Sequence, residues 1–169
     1  ITPHREEMFR RFRSYFKGEF YESLHSALFC YGSQPGTIYD SYEVTFYKNG
    51  KMIGFSYFDV GHDSIASIIN IYAKEAMKYS LGMYAILLQM EWAGKNGKQY
   101  YYPGYAMPEN PRFDYKLRIQ GVDYLEQATG EWKPWEEFKL KDTPLYEYRD
   151  AIIKARDRFY GLDLGWRVG

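Results

Sequence analysis

Between Asp40 and Tyr72 apolar residues recur at every second position, and two turn signals cut this stretch into three pieces. In the first, Tyr42, Val44 and Phe46 alternate with Glu43, Thr45 and Tyr47, the pattern of a half-buried strand. Asn49-Gly50 follows. Both central positions of a type I′ hairpin turn need positive φ, so this pair predicts that Met52 to Asp59 returns antiparallel. Gly61-His62-Asp63 then turns the chain into a third strand over Ser64 to Tyr72. Three sequential strands make a meander, and a meander this apolar needs helices to cover it.

The covering elements follow from a change of period. After Tyr72 a short turn carries Glu75, Lys78 and Tyr79, and a helix is expected over about Glu75 to Ala93, opening around Ser80-Leu81-Gly82. Met77, Leu81, Ala85, Leu88 and Trp92 would lie on one stripe, with Ile86, Leu87 and Met90 widening the apolar surface. Gly94 and Asn96-Gly97 terminate it. Where a strand feeds a loop and a helix start, unpaired backbone N–H groups and the positive dipole end converge. An acyl or phosphate group would be held there.

Before the meander, Met8, Phe9, Phe12 and Phe16 form one helical stripe within Pro3 to Phe16, and a second short helix is expected from Phe20 to Tyr31. Gly32 and Gln34-Pro35-Gly36 stop it, so the helical N-terminal part covers about residues 1–36. Arg10, Arg11 and Arg13 lie off the apolar stripe and read as a solvated face, with phosphate binding as the sharper alternative. After the long helix, Tyr100 to Tyr102 is a short strand that Pro103-Gly104 ends early. Arg112 to Arg118 is expected as a helical turn, Val122 to Ala128 as a strand, and Thr129-Gly130 as a turn. Thr143-Pro144 is a good cap for a last helix that Gly161 closes. The whole reads as one α+β domain.

The 22 Lys and Arg balance 22 Asp and Glu, so no global field draws in nucleic acid, and such a partner would need a local basic patch. Nineteen Tyr and eleven Phe supply core, and the tyrosines also suit a wet pocket. The single Cys30 sits in an apolar run and reads as a small buried hydrophobe. His4, His25 and His62 show no metal-ligand spacing, and Glu6-Glu7 and Glu136-Glu137 read as solvated faces. With no membrane-spanning window and no signal-peptide pattern, a cytoplasmic location is expected.

Meander, long helix and a splaying strand resemble the GNAT-like acyltransferase fold, a mostly antiparallel mixed sheet with helices on both faces. That fold usually carries Gln/Arg-x-x-Gly-x-Gly/Ala where strand meets helix, to cradle coenzyme A. In Tyr79-Ser80-Leu81-Gly82-Met83-Tyr84 only Gly82 fits, and Tyr84 fills the space of a small residue, which disfavours coenzyme A. The run Tyr72, Glu75, Lys78 to Tyr84, then Glu91-Trp92-Ala93, Tyr101 to Tyr105 and Tyr115-Lys116 instead resembles the C-terminal domain of arginyl-tRNA–protein transferases and their bacterial leucyl counterparts. Gly130 to Pro134 adds to it, and the similarity covers about Tyr42 to Trp135.

The resemblance implies transfer of Arg or Leu from charged tRNA to the N-terminal amine of a protein that begins with an acidic residue. Aminoacyl-tRNA is then the donor substrate, and no separate cofactor is implied. The implied roles are Tyr115, Tyr105 and Ser80 at the reacting centre; Lys78, Tyr79, Leu81, Gly82, Met83 and Tyr84 on the donor; and Lys116, Arg112 and Glu75 on the acceptor. The chain departs from the family pattern at Lys78-Tyr79, where two arginines are usual, and at Pro103, Asn110 and Asp114. A non-catalytic relative that binds RNA or protein N-termini is the competing reading. The family's cysteine-rich N-terminal domain has no counterpart in this sequence, so a fragment or a stand-alone relative is expected.

Overall fold

Asn49 and Gly50 both take positive φ, 50° and 73°, and close the expected hairpin. In the computed structural model that carries this hairpin, residues 1–16, 21–29, 40–104, 114–126 and 129–138 are described. The chain divides into two compact units, Ile1–Tyr105 and Ala106–Val168. Cys30, Tyr105, Arg112 and the expected last helix lie outside the described residues.

The first unit holds α1 (Pro3–Tyr15), α2 (Leu24–Phe29), β1 (Asp40–Lys48), β2 (Lys51–Val60), β3 (Ser64–Tyr72), a 3-10 turn (Lys74–Tyr79), α3 (Leu81–Lys95) and β4 (Tyr100–Tyr102). The sheet order is β1-β2-β3-β4. The first three strands are antiparallel, and β4 runs parallel to β3 over Ser64 to Ala66 alone. The architecture is α+β with a mostly antiparallel open sheet. Among the described residues no helix is long and apolar enough to cross a membrane.

Helices α1 and α2 cover one face, where Phe9, Phe12, Leu24 and Ala27 pack on Met52, Phe55, Ile69 and Ile71. Full burial of a Phe or Ile of this kind contributes about 2–3 kcal/mol. Thr2 caps α1 and Pro3 opens it. Glu6 accepts the Leu24 N–H at 2.9 Å, so it caps α2 rather than facing solvent, while Glu7 pairs with Arg10 and Arg11. Arg13 donates to the Glu22 carbonyl. The arginines of α1 are thus partnered locally. Arg5 and Glu43 form a two-pronged ion pair that ties α1 to β1.

Helix α3 covers the other face, with Leu81 and Ala85 against Phe46, and Ala93 against Phe58 and Ile65. Two register shifts decide which residues reach which face. One sets Phe46 opposite Gly54 and Tyr47 opposite Met52, leaving Ile53 as an extra residue. The other sets Tyr57 opposite Ile69 and Phe58 opposite Ser67, leaving Ile68 unpaired in that ladder. Ile65 and Ile69 therefore land on opposite faces, although simple alternation would put them on the same one.

The continuous helix expected from Glu75 is corrected. Residues Lys74–Tyr79 are a 3-10 turn, and α3 begins only at Leu81. Ser80 between them is left-handed, with φ 51° and ψ 44°, which breaks the helical hydrogen-bond ladder. Met77 consequently leaves the buried stripe and is 56% exposed. Gln89 joins that stripe and is fully buried.

The second unit carries a 3-10 turn (Asp114–Arg118) and a hairpin of β5 (Asp123–Glu126) and β6 (Glu131–Pro134). Strand β6 is an addition to the elements expected from the sequence. Trp135 stacks on Phe138 at 4.4 Å, and Tyr124 meets Phe138 edge-on at 5.1 Å.

Candidate functional site

The 3-10 turn and the start of α3 are pinned from three sides. The Ala73 N–H reaches the Ile53 carbonyl at 2.9 Å, Tyr15 on α1 donates its hydroxyl to the Tyr72 carbonyl, and Ala76 and Leu81 are buried against Phe46. Burial, with the neighbouring Tyr72 and Glu75, pushes the Tyr15 hydroxyl up to about 12, so it remains a donor. Gly54 lets the helix approach. A Cβ built there would stand 2.9 Å from the Ile71 carbonyl oxygen and 3.2 Å from Leu81 Cδ1.

Ser80 then turns the chain so that α3 starts with a bare end. The Tyr84 N–H bonds to the Ser80 carbonyl at 3.1 Å, and the Ser80 side chain makes no cap bond. Among the described residues the N–H groups of Leu81, Gly82 and Met83 have no acceptor. Holding a serine in the left-handed region costs about 1 kcal/mol. With it, the start of α3 keeps a set of N–H donors by which a carbonyl oxygen or phosphate could be received.

Around this end lie exposed side chains. Lys78 and Tyr79 close the 3-10 turn, and Tyr84, 49% exposed, leans its ring on Phe46 at a centroid distance of 5.7 Å. Glu75 is exposed on the same turn. Lys48, at the tip of the β1–β2 hairpin, donates to the Tyr79 hydroxyl and sits 4.6 Å from its ring centre. Lys78 is 5.4 Å from that centre. The hydrogen bond from Lys48, together with the two positive charges, holds the Tyr79 hydroxyl below its usual pKa.

Beneath α3 runs a buried polar chain. The Gln89 amide donates to Ser56 Oγ at 2.7 Å and accepts from the Tyr101 hydroxyl at 2.9 Å. Gln89 and Ser56 are both fully buried. Asn70, opposite Ser56 in the β2–β3 ladder, has a buried Oδ1 without a hydrogen-bond partner. This chain couples β2, α3 and β4, the elements that position the helix start.

The structure therefore gathers Glu75, Lys78, Tyr79, Ser80, Leu81, Gly82, Met83 and Tyr84 on one turn and helix end. Tyr115 and Lys116 stand on the 3-10 turn of the second unit, both half-buried, and burial lowers the Lys116 pKa. Sequence reasoning missed Lys48, Gln89 and Ser56. The hairpin signal at Asn49-Gly50 was the one available hint for Lys48, since it fixes where that lysine is presented.

The pattern of the arginine-tRNA-protein transferase C terminus matches residues 3–126, more than half of the chain and the whole of this first site. The chain belongs to this family. Among curated proteins, it is similar to the aspartate/glutamate leucyltransferase of Leptospira interrogans, 34% identical over 104 residues, which is 60% of this chain and 40% of that protein. The enzyme of the same description from Marinobacter nauticus is 30% identical over 94 residues, 56% of this chain and 39% of its own length. That of Acinetobacter baumannii is 28% identical over 94 residues, 56% of this chain and 34% of its own. The matched part is thus well under half the length of each of these relatives.

Proposed function

We propose that this chain works as an aminoacyl-tRNA–protein transferase domain of GNAT-like fold. It transfers leucine or arginine from charged tRNA to the N-terminal amine of a protein beginning with Asp or Glu. The family match supports the reaction class, and the relatives' description supports leucine as donor and acidic acceptors. The observation that carries the reading is the start of α3, where three N–H groups without acceptors stand beside Lys78 and Tyr79.

The chemistry is aminolysis of an ester. The acceptor amine attacks the aminoacyl carbonyl carbon, a C–N bond forms, and the C–O bond to the terminal ribose breaks. The amine proton passes to the departing ribose oxygen, which leaves as a hydroxyl. The N–H groups of Leu81, Gly82 and Met83 suit the oxyanion that develops in between. Ser80 and Tyr105 are the proposed hydroxyl groups of the first unit for this chemistry, and Tyr115 is the one proposed from the second. Lys116 and Arg112 are proposed for the acidic side chain of the acceptor, with Glu75 for its α-amine.

The test is transfer of labelled leucine or arginine from charged tRNA to peptides beginning with Asp, Glu or Ala. Transfer to the acidic peptides is expected. No transfer from either aminoacyl-tRNA would sink the reading. The competing reading, a relative that binds without turnover, is favoured by Lys78-Tyr79 in place of two arginines. RNA binding without any transfer would establish it instead.

A further inference from the structure

A chain with no net charge meets nucleic acid through a local basic surface or not at all. The hairpin tip supplies one. Phe46 is buried beside the start of α3, and strand alternation places Lys48, two residues on, over the same face. Lys51 is its direct partner in the ladder. Lys48, Lys51, Lys74 and Lys78 are all exposed, and Glu75 is the one carboxylate within the adjoining 3-10 turn.

Two of these ammonium groups crowd a single ring. Lys48 and Lys78 stand 4.6 Å and 5.4 Å from the centre of Tyr79, which is itself 40% exposed. Like charges gathered this closely repel, and an anion placed between them removes the repulsion. A phosphate does this, and the exposed ring beside it offers a face to a base. Cation and ring together are how proteins hold a single strand of nucleic acid without reading its sequence. A peptide carboxylate would use the lysines but leave the ring without a role.

We propose that the β1–β2 hairpin tip is a second holding point for the acceptor end of the tRNA. Lys48 and Lys51 each engage a backbone phosphate, next to the one at Lys78, and Tyr79 stacks on an unpaired base. The hairpin tip thereby supplies positive charge that the turn gives up by carrying Tyr79 before Ser80. This inference rests on the tRNA reading above and adds residues that reading does not contain.

The experiment measures binding of labelled deacylated tRNA to the full chain as a function of salt. Each lost phosphate contact on single-stranded RNA lowers the slope of log affinity against log salt by about 0.7, a loss of roughly fivefold at 0.1 M salt. K48A and K51A should each show that drop, and the double variant about 25-fold. K95A, at the far end of α3 and paired with Glu91, should bind like the parent. Y79L should weaken binding about fivefold or more with the slope unchanged, and Y79F should stay within about twofold. All these positions are exposed, and thermal unfolding confirms that each variant folds. Lysine variants that bind tRNA no worse than K95A would overturn the proposal and leave the transferase reading intact. A raised KM for acceptor peptide with unchanged tRNA binding would reassign the surface to the acceptor and likewise overturn it. No tRNA binding by the parent chain would overturn both.

Discussion

Replacing Gln89 by Leu tests whether the buried chain under α3 holds the site in place. The change removes two hydrogen bonds, the 2.7 Å donation to Ser56 and the 2.9 Å acceptance from Tyr101. Tyr101 is only part-buried and can turn to water, so its loss costs about 1 kcal/mol. The Ser56 hydroxyl is fully buried, and leaving it without its donor costs about 1–3 kcal/mol. Burying Leu in place of Gln returns roughly 1 kcal/mol. The net loss is then about 1–3 kcal/mol, which lowers the melting temperature by about 3–10 °C in a chain of this size. Adding Ser56→Ala should recover part of it, because removing both partners leaves nothing unsatisfied. Urea midpoints of the two single variants and the double variant close a thermodynamic cycle. Additivity within about 0.3 kcal/mol, or an unchanged midpoint for Gln89→Leu, would refute the account.

Gly54→Ala should destabilise by about 1–3 kcal/mol and slow aminoacyl transfer, because the new methyl meets the rigid Ile71 carbonyl and Leu81; a stable variant with full transfer would show that the helix start tolerates displacement. Ser80→Gly should stabilise by about 0.5–1 kcal/mol in thermal unfolding, since glycine adopts the left-handed conformation without the Cβ clash; a lower melting temperature would contradict the assigned geometry. Burial alone would raise the Glu43 pKa, yet the hydrogen bonds from Arg5, Thr45 and Tyr57 outweigh it and hold the carboxyl below its usual value. The folded pKa is therefore the lower one, so this stabilisation is complete above about pH 5 and fades as acid is added through the folded value. Glu43→Gln should lose about 1–3 kcal/mol at pH 7, with the gap to the parent closing as acid is added through the folded value; a gap independent of pH would rule the ion pair out as its cause.

The meander was legible because its cues are local. Alternation over Tyr42 to Tyr47 and the Asn49-Gly50 turn need no distant partner, and the strands appear where those cues put them. The donor-side cluster from Lys78 to Tyr84 was legible through family resemblance to the pattern that matches residues 3–126. Helix α3 was read one turn too long, because the apolar spacing that includes Met77 does not reveal the left-handed Ser80. Strand β6 was missed because Glu131 to Pro134 is short and shows little alternation of burial.

By itself, the sequence determined the meander, its hairpin turn and the presence of a long apolar helix after β3. Tertiary structure decided that Ile65 and Ile69 face opposite ways, since a bulge belongs to the pairing of two strands and not to either one. It also decided that Gln89 is an interior residue joined to Ser56 across 33 positions, and that Lys48 reaches Tyr79 across 31. Such contacts depend on how separate elements pack, and side-chain reach across a packed interface leaves no periodic trace in the chain.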